Sequence, residues 1–231
     1  MIKNVVFDVS GVLLKFNFLG FFDVFNWTPK VKQQISEILF KSEQGENYME
    51  GKISNATFCK ALLSSYPKHK DEIKQVFKKE LFEQITVPDY NTFELLKELK
   101  SSDYNVYIFS NMDRKQSVYF RNLFNIDEHI NGAVYSYEFD SGKPEEDSFK
   151  KPDPRIFKAF LAKFGINPEE TLYIDDGKKN IATAKTLGFN TVVFKSSDTT
   201  IPQIKSYLQG NSREVKPLRC VNDSQVGPEK L

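Results

Sequence analysis

The chain has 231 residues, 40% hydrophobic and 27% charged, a globular composition that excludes disorder over most of its length. Lys and Arg number 32 against 31 Asp and Glu, so the net charge is +1 and nothing in it points to nucleic acid or an anionic membrane as partner. The two cysteines, Cys59 and Cys220, are too few for a disulfide framework, which suits a reducing, cytoplasmic setting.

The apolar stretch Val5 to Phe25 is broken by Asp8, Lys15 and Asp23 and falls short of the ~18 residues of a membrane span. Its first part, Ile2 to Phe7, is a short continuous apolar run ending at Asp8 and a Ser10-Gly11 turn, the pattern of a strand buried on both faces. Helical signals follow from about residue 16 to residue 86. Thr28-Pro29 opens one helix to about Lys41, Ser54 begins a second, and Asp71 to Gln84 carries a third. Strand and helix then alternate. Tyr90 to Lys100 has helical spacing, and Asn105 to Phe109 is a strand ending in Ser110-Asn111. Gly132 to Tyr135 is another strand, and Asp153-Pro154 opens a helix over Arg155 to Phe164 that Gly165 stops. Thr171 to Ile174 ends in Asp175-Asp176-Gly177, Asn180 to Leu187 is helical, and Thr191 to Phe194 is a last strand. Strands alternating with helices predict an α/β fold with a parallel sheet covered on both faces. The core is expected over residues 1–15 and 87–210, with an all-helical insert over 16–86, a surface loop near 141–149 and a disordered tail over 211–231.

The polar residues fall just past strand carboxyl ends, where open parallel sheets bind ligands. Asp8, Ser110-Asn111, Lys151 and Asp175-Asp176 together offer carboxylates, a hydroxyl, an amide and one ammonium. Clustered carboxylates repel unless a cation joins them, and hard oxygen ligands beside phosphate suit Mg²⁺.

Four segments, in order, resemble the motifs of the haloacid dehalogenase-like hydrolases. They are Phe7-Asp8-Val9-Ser10-Gly11-Val12-Leu13, Ile108-Phe109-Ser110-Asn111, Lys151-Pro152-Asp153-Pro154-Arg155-Ile156-Phe157, and Ile174-Asp175-Asp176 with Asn180-Ile181. The resemblance covers about residues 1 to 208 and is closest to the branch of glucose-1-phosphate phosphatases and the phosphatase domain of soluble epoxide hydrolases. It implies a Rossmann-like core with a small helical cap, and Mg²⁺-dependent hydrolysis of a small phosphorylated metabolite, such as a sugar phosphate. In these terms Asp8 is the nucleophile, forming an aspartyl-phosphate, and binds Mg²⁺ with the main-chain carbonyl of Ser10 and with Asp176. Ser110 and Asn111 bind the phosphoryl group, Lys151 neutralises it, and Asp175 and Asn180 support the site from behind. Lys151 is preferred over Lys143 because Asp153-Pro154-Arg155-Ile156-Phe157 follows it, and His69 and His129 have no partner spacing.

Ser10 departs from the family, where most phosphatases carry an acidic Asp that protonates the leaving group. Two rival readings follow: a phosphate-binding or regulatory protein weakened in catalysis, and a haloacid dehalogenase. Intact Asp8, Lys151 and Asp176 speak against the first, Ser10 and the Asp175-Asp176 pair against the second. Phe16, Phe18, Phe21, Phe22, Trp27 and Tyr48 are candidates for a hydrophobic lid, more of them for the core of the cap. The expected assembly is a monomer or a homodimer.

Overall fold

The chain is described by a computed structural model for residues 1–49, 52–139 and 150–210. The expected loop 141–149 with Lys143 and the expected tail 211–231 with Cys220 lie outside the described residues. Among those described, the strands are β1 (Asn4–Phe7), β2 (Leu14–Phe16), β3 (Thr86–Pro88), β4 (Asn105–Ser110), β5 (Gly132–Tyr135), β6 (Thr171–Asp175) and β7 (Asn190–Val193). Five of them form one parallel sheet in the order β5-β4-β1-β6-β7.

Side chains alternate across this sheet and sort into two cores, as the two-residue strand period requires. Val5, Phe7, Val106, Ile108, Leu172 and Ile174 join one buried cluster. Val6, Tyr107, Phe109, Val134 and Tyr173 join the other. The first face packs on α7 (Tyr90–Ser101), α8 (Arg114–Phe124) and α11 (Ser197–Gly210); the second packs on α9 (Pro154–Phe164) and α10 (Lys178–Thr186). Helix ends follow local chemistry. Asp153 caps α9 and precedes Pro154, and Gly165 ends it in the left-handed conformation.

The remaining helices lie between β2 and β3: α1 (Phe18–Phe21), α2 (Pro29–Phe40), α3 (Glu43–Met49), α4 (Asn55–Ser65), α5 (Lys70–Val76) and α6 (Leu81–Ile85). β2 and β3 pair antiparallel, Leu14 with Pro88, Lys15 with Val87 and Phe16 with Thr86. Lys15 Nζ lies 2.6 Å from the buried Asp89 carboxylate, which also caps α7, and the Asp89 amide donates to the Leu13 carbonyl.

One expectation is corrected here. Asp71 to Gln84 is two helices, not one, interrupted between Val76 and Leu81. The backbone groups freed by the break find distant partners. The Gln84 side-chain Nε2 donates to the carbonyls of Val76 and Lys79, while the Leu81 backbone amide donates to Asn55 Oδ1 and the Phe82 backbone amide to Tyr48 Oη. The lid candidates divide as well. Phe21, Phe22 and Tyr48 are buried in the core, while Phe16, Phe18 and Trp27 are half-buried against it.

Candidate active site

β1 has β4 on one side and β6 on the other, and the chain's successive crossovers run outward in opposite directions from it. Such a switch point opens a crevice at the strand carboxyl ends. Asp8 follows β1, Ser110 closes β4 and Asp175 closes β6, so the three meet there. The Asp8 amide donates to the Ile174 carbonyl at 2.9 Å, tying the residue to β6. The following turn folds tightly because the Val9 carbonyl accepts the amides of Val12, Leu13 and Leu14. Gly11 at its apex has φ +80°, and a Cβ there would collide with the Asp176 carboxylate. The positive φ favours glycine here, and a Cβ would in addition push the Asp176 carboxylate from its place.

Lys151 arrives from the segment before α9 and is 3% exposed. Its ammonium lies 3.0 Å from Asp8 Oδ2, 2.7 Å from Asp175 Oδ2 and 3.0 Å from the Phe109 carbonyl. The Asn111 side chain holds the lysine from behind, donating to its carbonyl at 2.8 Å and accepting from its amide at 3.0 Å. Asp175 is fully buried and saturated with donors. Oδ1 receives the Gly177 amide and Asn180 Nδ2, and Oδ2 receives Lys151 Nζ, the Tyr173 hydroxyl and, at 3.1 Å, Asn180 Nδ2 as well. Asp176, next in sequence, is exposed to solvent. Carboxylate oxygens of Asp8, Asp175 and Asp176 all lie within 4.8 Å of one another.

The electrostatics are those of too much negative charge for one lysine. Burial raises the Asp8 pKa to about 7, with Lys151 opposing and the Asp175 charge adding to it. Asp176 is raised too, because its carboxylate gives up part of its solvent among these groups and stands beside the Asp175 charge. Burial would also raise Asp175, but Lys151 and the hydrogen bonds from Lys151, Tyr173 and Asn180 prevail and lower it. For Lys151 the loss of solvent is outweighed by Asp175 and Asp8, so it stays charged. Among the described residues Ser110 Oγ is buried without a hydrogen-bond partner, close enough to Asp8 to favour its charged form. An unpaired buried hydroxyl beside crowded carboxylates fits a site that takes up a hard cation and an oxyanion.

The structure therefore brings together Asp8, Ser110, Asn111, Lys151, Asp175, Asp176 and Asn180, with Ser10 in the turn beside them. The structure gives two of these residues specific partners. The Asn111 side chain is engaged with the Lys151 backbone through its carbonyl oxygen and one N–H of its amide, so it also holds the lysine segment in place. Asn180 steadies the site by donating to both Asp175 oxygens, at 3.0 and 3.1 Å. His69 faces Glu72 and His129 meets the Phe93 ring edge-on, both outside this cluster. Tyr173 and the Gly11 contact were not singled out from sequence. The two-residue offset of Tyr173 from Asp175, which puts both on one sheet face, was the available signal.

A family model for haloacid dehalogenase-like hydrolases matches residues 2–188, a span holding every member of this cluster. The chain belongs to the haloacid dehalogenase-like hydrolases. Within curated proteins, D-ribitol-5-phosphate phosphatase of Bacteroides thetaiotaomicron is 30% identical over 214 residues, covering 83% of this chain and 91% of that protein. Sesquiterpene phosphatase of Aspergillus oryzae is 25% identical over 210 residues, covering 89% and 96%. A solved HAD family enzyme from Bacteroides thetaiotaomicron, in complex with magnesium and inorganic phosphate, shares the fold of this hydrolase with a TM-score of 0.60. That match spans 84% of this chain and 95% of the other at 24% identity.

Proposed function

We propose that this hydrolase is a Mg²⁺-dependent phosphatase of small phosphorylated metabolites, with Asp8 as the nucleophile. The observation that carries the reading is the Lys151 ammonium set between Asp8 and Asp175, with Asp176 and the unpartnered Ser110 hydroxyl beside it. The phosphatase activities named for the two relatives support it.

Asp8, Asp176 and the Ser10 main-chain carbonyl would hold Mg²⁺; Asp175, its lone pairs already taken, supports them from behind. When bound, the cation neutralises carboxylate and phosphoryl charge. The protein groups do the rest. A carboxylate oxygen of Asp8 attacks phosphorus while the ester oxygen leaves with its electron pair, giving an aspartyl-phosphate. Lys151 balances charge on the Asp8 and phosphoryl oxygens, and Ser110 donates its free hydroxyl to a phosphoryl oxygen. Water then attacks phosphorus, releasing inorganic phosphate and restoring Asp8. Ser10 is too weak an acid to protonate the leaving group, so the alkoxide takes its proton from water. A haloacid dehalogenase would share such a nucleophile, but displacing halide without Mg²⁺ leaves the crowded Asp8, Asp175 and Asp176 carboxylates without a cation to relieve them.

The test is phosphate release by the purified chain from a panel of sugar phosphates, polyol phosphates and apolar phosphomonoesters, with Mg²⁺ and with EDTA. Release is expected only with Mg²⁺ and only with Asp8 intact. Turnover in the Asp8→Asn protein, or none from any ester, would refute the reading.

A further inference from the structure

We infer that Tyr173 is a positioning residue whose hydroxyl, placed on the same Asp175 oxygen that receives Lys151, sets where the ammonium rests between Asp175 and Asp8. The inference rests on the phosphatase reading for its consequence in turnover, and on geometry for the rest.

Tyr173 and Asp175 are two residues apart on β6 and so emerge on one sheet face, beside α9 and α10. The ring is fully buried and held on several sides. Phe157 meets it edge-on at 5.6 Å, and Phe109 and Phe189 lie 6.0 Å away. Packing of this kind needs only the ring, and phenylalanine would supply it. A buried phenol hydroxyl, by contrast, is costly unless it has an acceptor, and its acceptor here is Asp175 Oδ2. The hydroxyl thus earns its place through the site.

The same residue touches both sides of the ion pair. Lys151 Nζ donates to Asp175 Oδ2 at 2.7 Å and stands 5.6 Å from the centre of the Tyr173 ring. It also lies 3.0 Å from Asp8 Oδ2. A carboxylate oxygen that accepts several donors, as Asp175 Oδ2 does from Lys151, Tyr173 and Asn180, divides its charge among them. With the hydroxyl present, Asp175 pulls less on the ammonium, and Lys151 is shared with Asp8 and, in turnover, with a phosphoryl oxygen. Without it, Asp175 draws the lysine toward itself.

Tyr173→Phe in the full chain keeps the ring and removes only the hydroxyl. The readouts are kcat and KM for p-nitrophenyl phosphate at saturating Mg²⁺, the melting temperature, and a crystal structure of the variant. The expected result is a kcat about tenfold lower with KM within twofold, as suits a hydrogen bond to a charged group that acts on the chemical step. The melting temperature should hold within a few degrees, and the Lys151–Asp8 separation should open beyond hydrogen-bond reach. Unchanged kcat overturns the role, and so does a fall in kcat with Lys151 unmoved. If the unaltered protein releases no phosphate, the phosphatase reading fails by itself, and the lysine position still decides the role of Tyr173.

Discussion

Replacing Lys151 by Met should separate what the lysine does for folding from what it does for catalysis. The side chain is almost completely buried, and its loss leaves Asp8 and Asp175 facing one another inside the protein without a counter-charge. Breaking one partner out of a buried ion pair costs about 3–5 kcal/mol. At about 2–4 °C per kcal/mol for a chain of this size, the melting temperature in EDTA should fall by about 6–20 °C. Adding Asp175→Asn removes the stranded charge while Tyr173, Gly177 and Asn180 keep their places around the amide. Removing both partners of a buried pair is often close to neutral, so the double variant should regain at least half of the loss. Activity should not follow. Charge on the phosphoryl oxygens then has no ammonium in either protein, and phosphate release should stay about 10³-fold down. Calorimetry in EDTA and phosphate release in Mg²⁺ measure the two quantities on the same samples. The reasoning is refuted if Lys151→Met melts with the parent, or if the double variant melts lower than the single one.

Three further outcomes are expected. Asp8→Asn should abolish phosphate release yet raise the EDTA melting temperature, because burial already disfavours the charged carboxylate and holds its pKa at about 7; a lower melting temperature would contradict this. Gly11→Ala combines a residue at φ +80° with a Cβ driven into Asp176, and should weaken apparent Mg²⁺ affinity in titrations of activity by about tenfold or more while costing about 1–2 kcal/mol of stability by urea unfolding. Ser10→Asp should raise rates about 10²-fold for esters with poor leaving groups and little for aryl phosphates, because an acid helps most where the alkoxide is least stable; equal gains across a graded ester series would place proton donation elsewhere.

The parallel sheet could be read from sequence because buried parallel strands are continuous apolar runs, and β1, β4 and β6 each end where a polar residue begins. The caps at Thr28, Ser54 and Asp153 were equally plain, since each side chain accepts a backbone amide of the helix it starts. The three-residue strands β2 and β3 were not, because alternation cannot be recognised over so few positions. α8 escaped notice because Val118 and Leu123 face solvent and blur its apolar stripe, although the Asp113–Gln116 capping box marks its start. The break in residues 71–84 lay beyond local reading altogether, as its partners Asn55 and Tyr48 are more than 20 residues away. In the site, charged residues at strand ends announced themselves. The tasks of Asn111 and Tyr173 depend on which atoms they face, and spacing does not encode that.

The Phe16–Thr86 pairing places the two ends of the helical layer side by side, so that layer is topologically a single long loop on the sheet domain. Closing a loop costs entropy that grows only with the logarithm of its length, about 0.6 kcal/mol for each doubling. A helical layer half or twice this size could therefore be spliced onto the same three-pair ladder at little thermodynamic cost, with Asp8, Lys151 and Asp176 left where they are. Exchanging residues 17–85 between relatives is therefore a practicable graft, and the substrate preference of the chimaera reports whether selectivity travels with the helical layer.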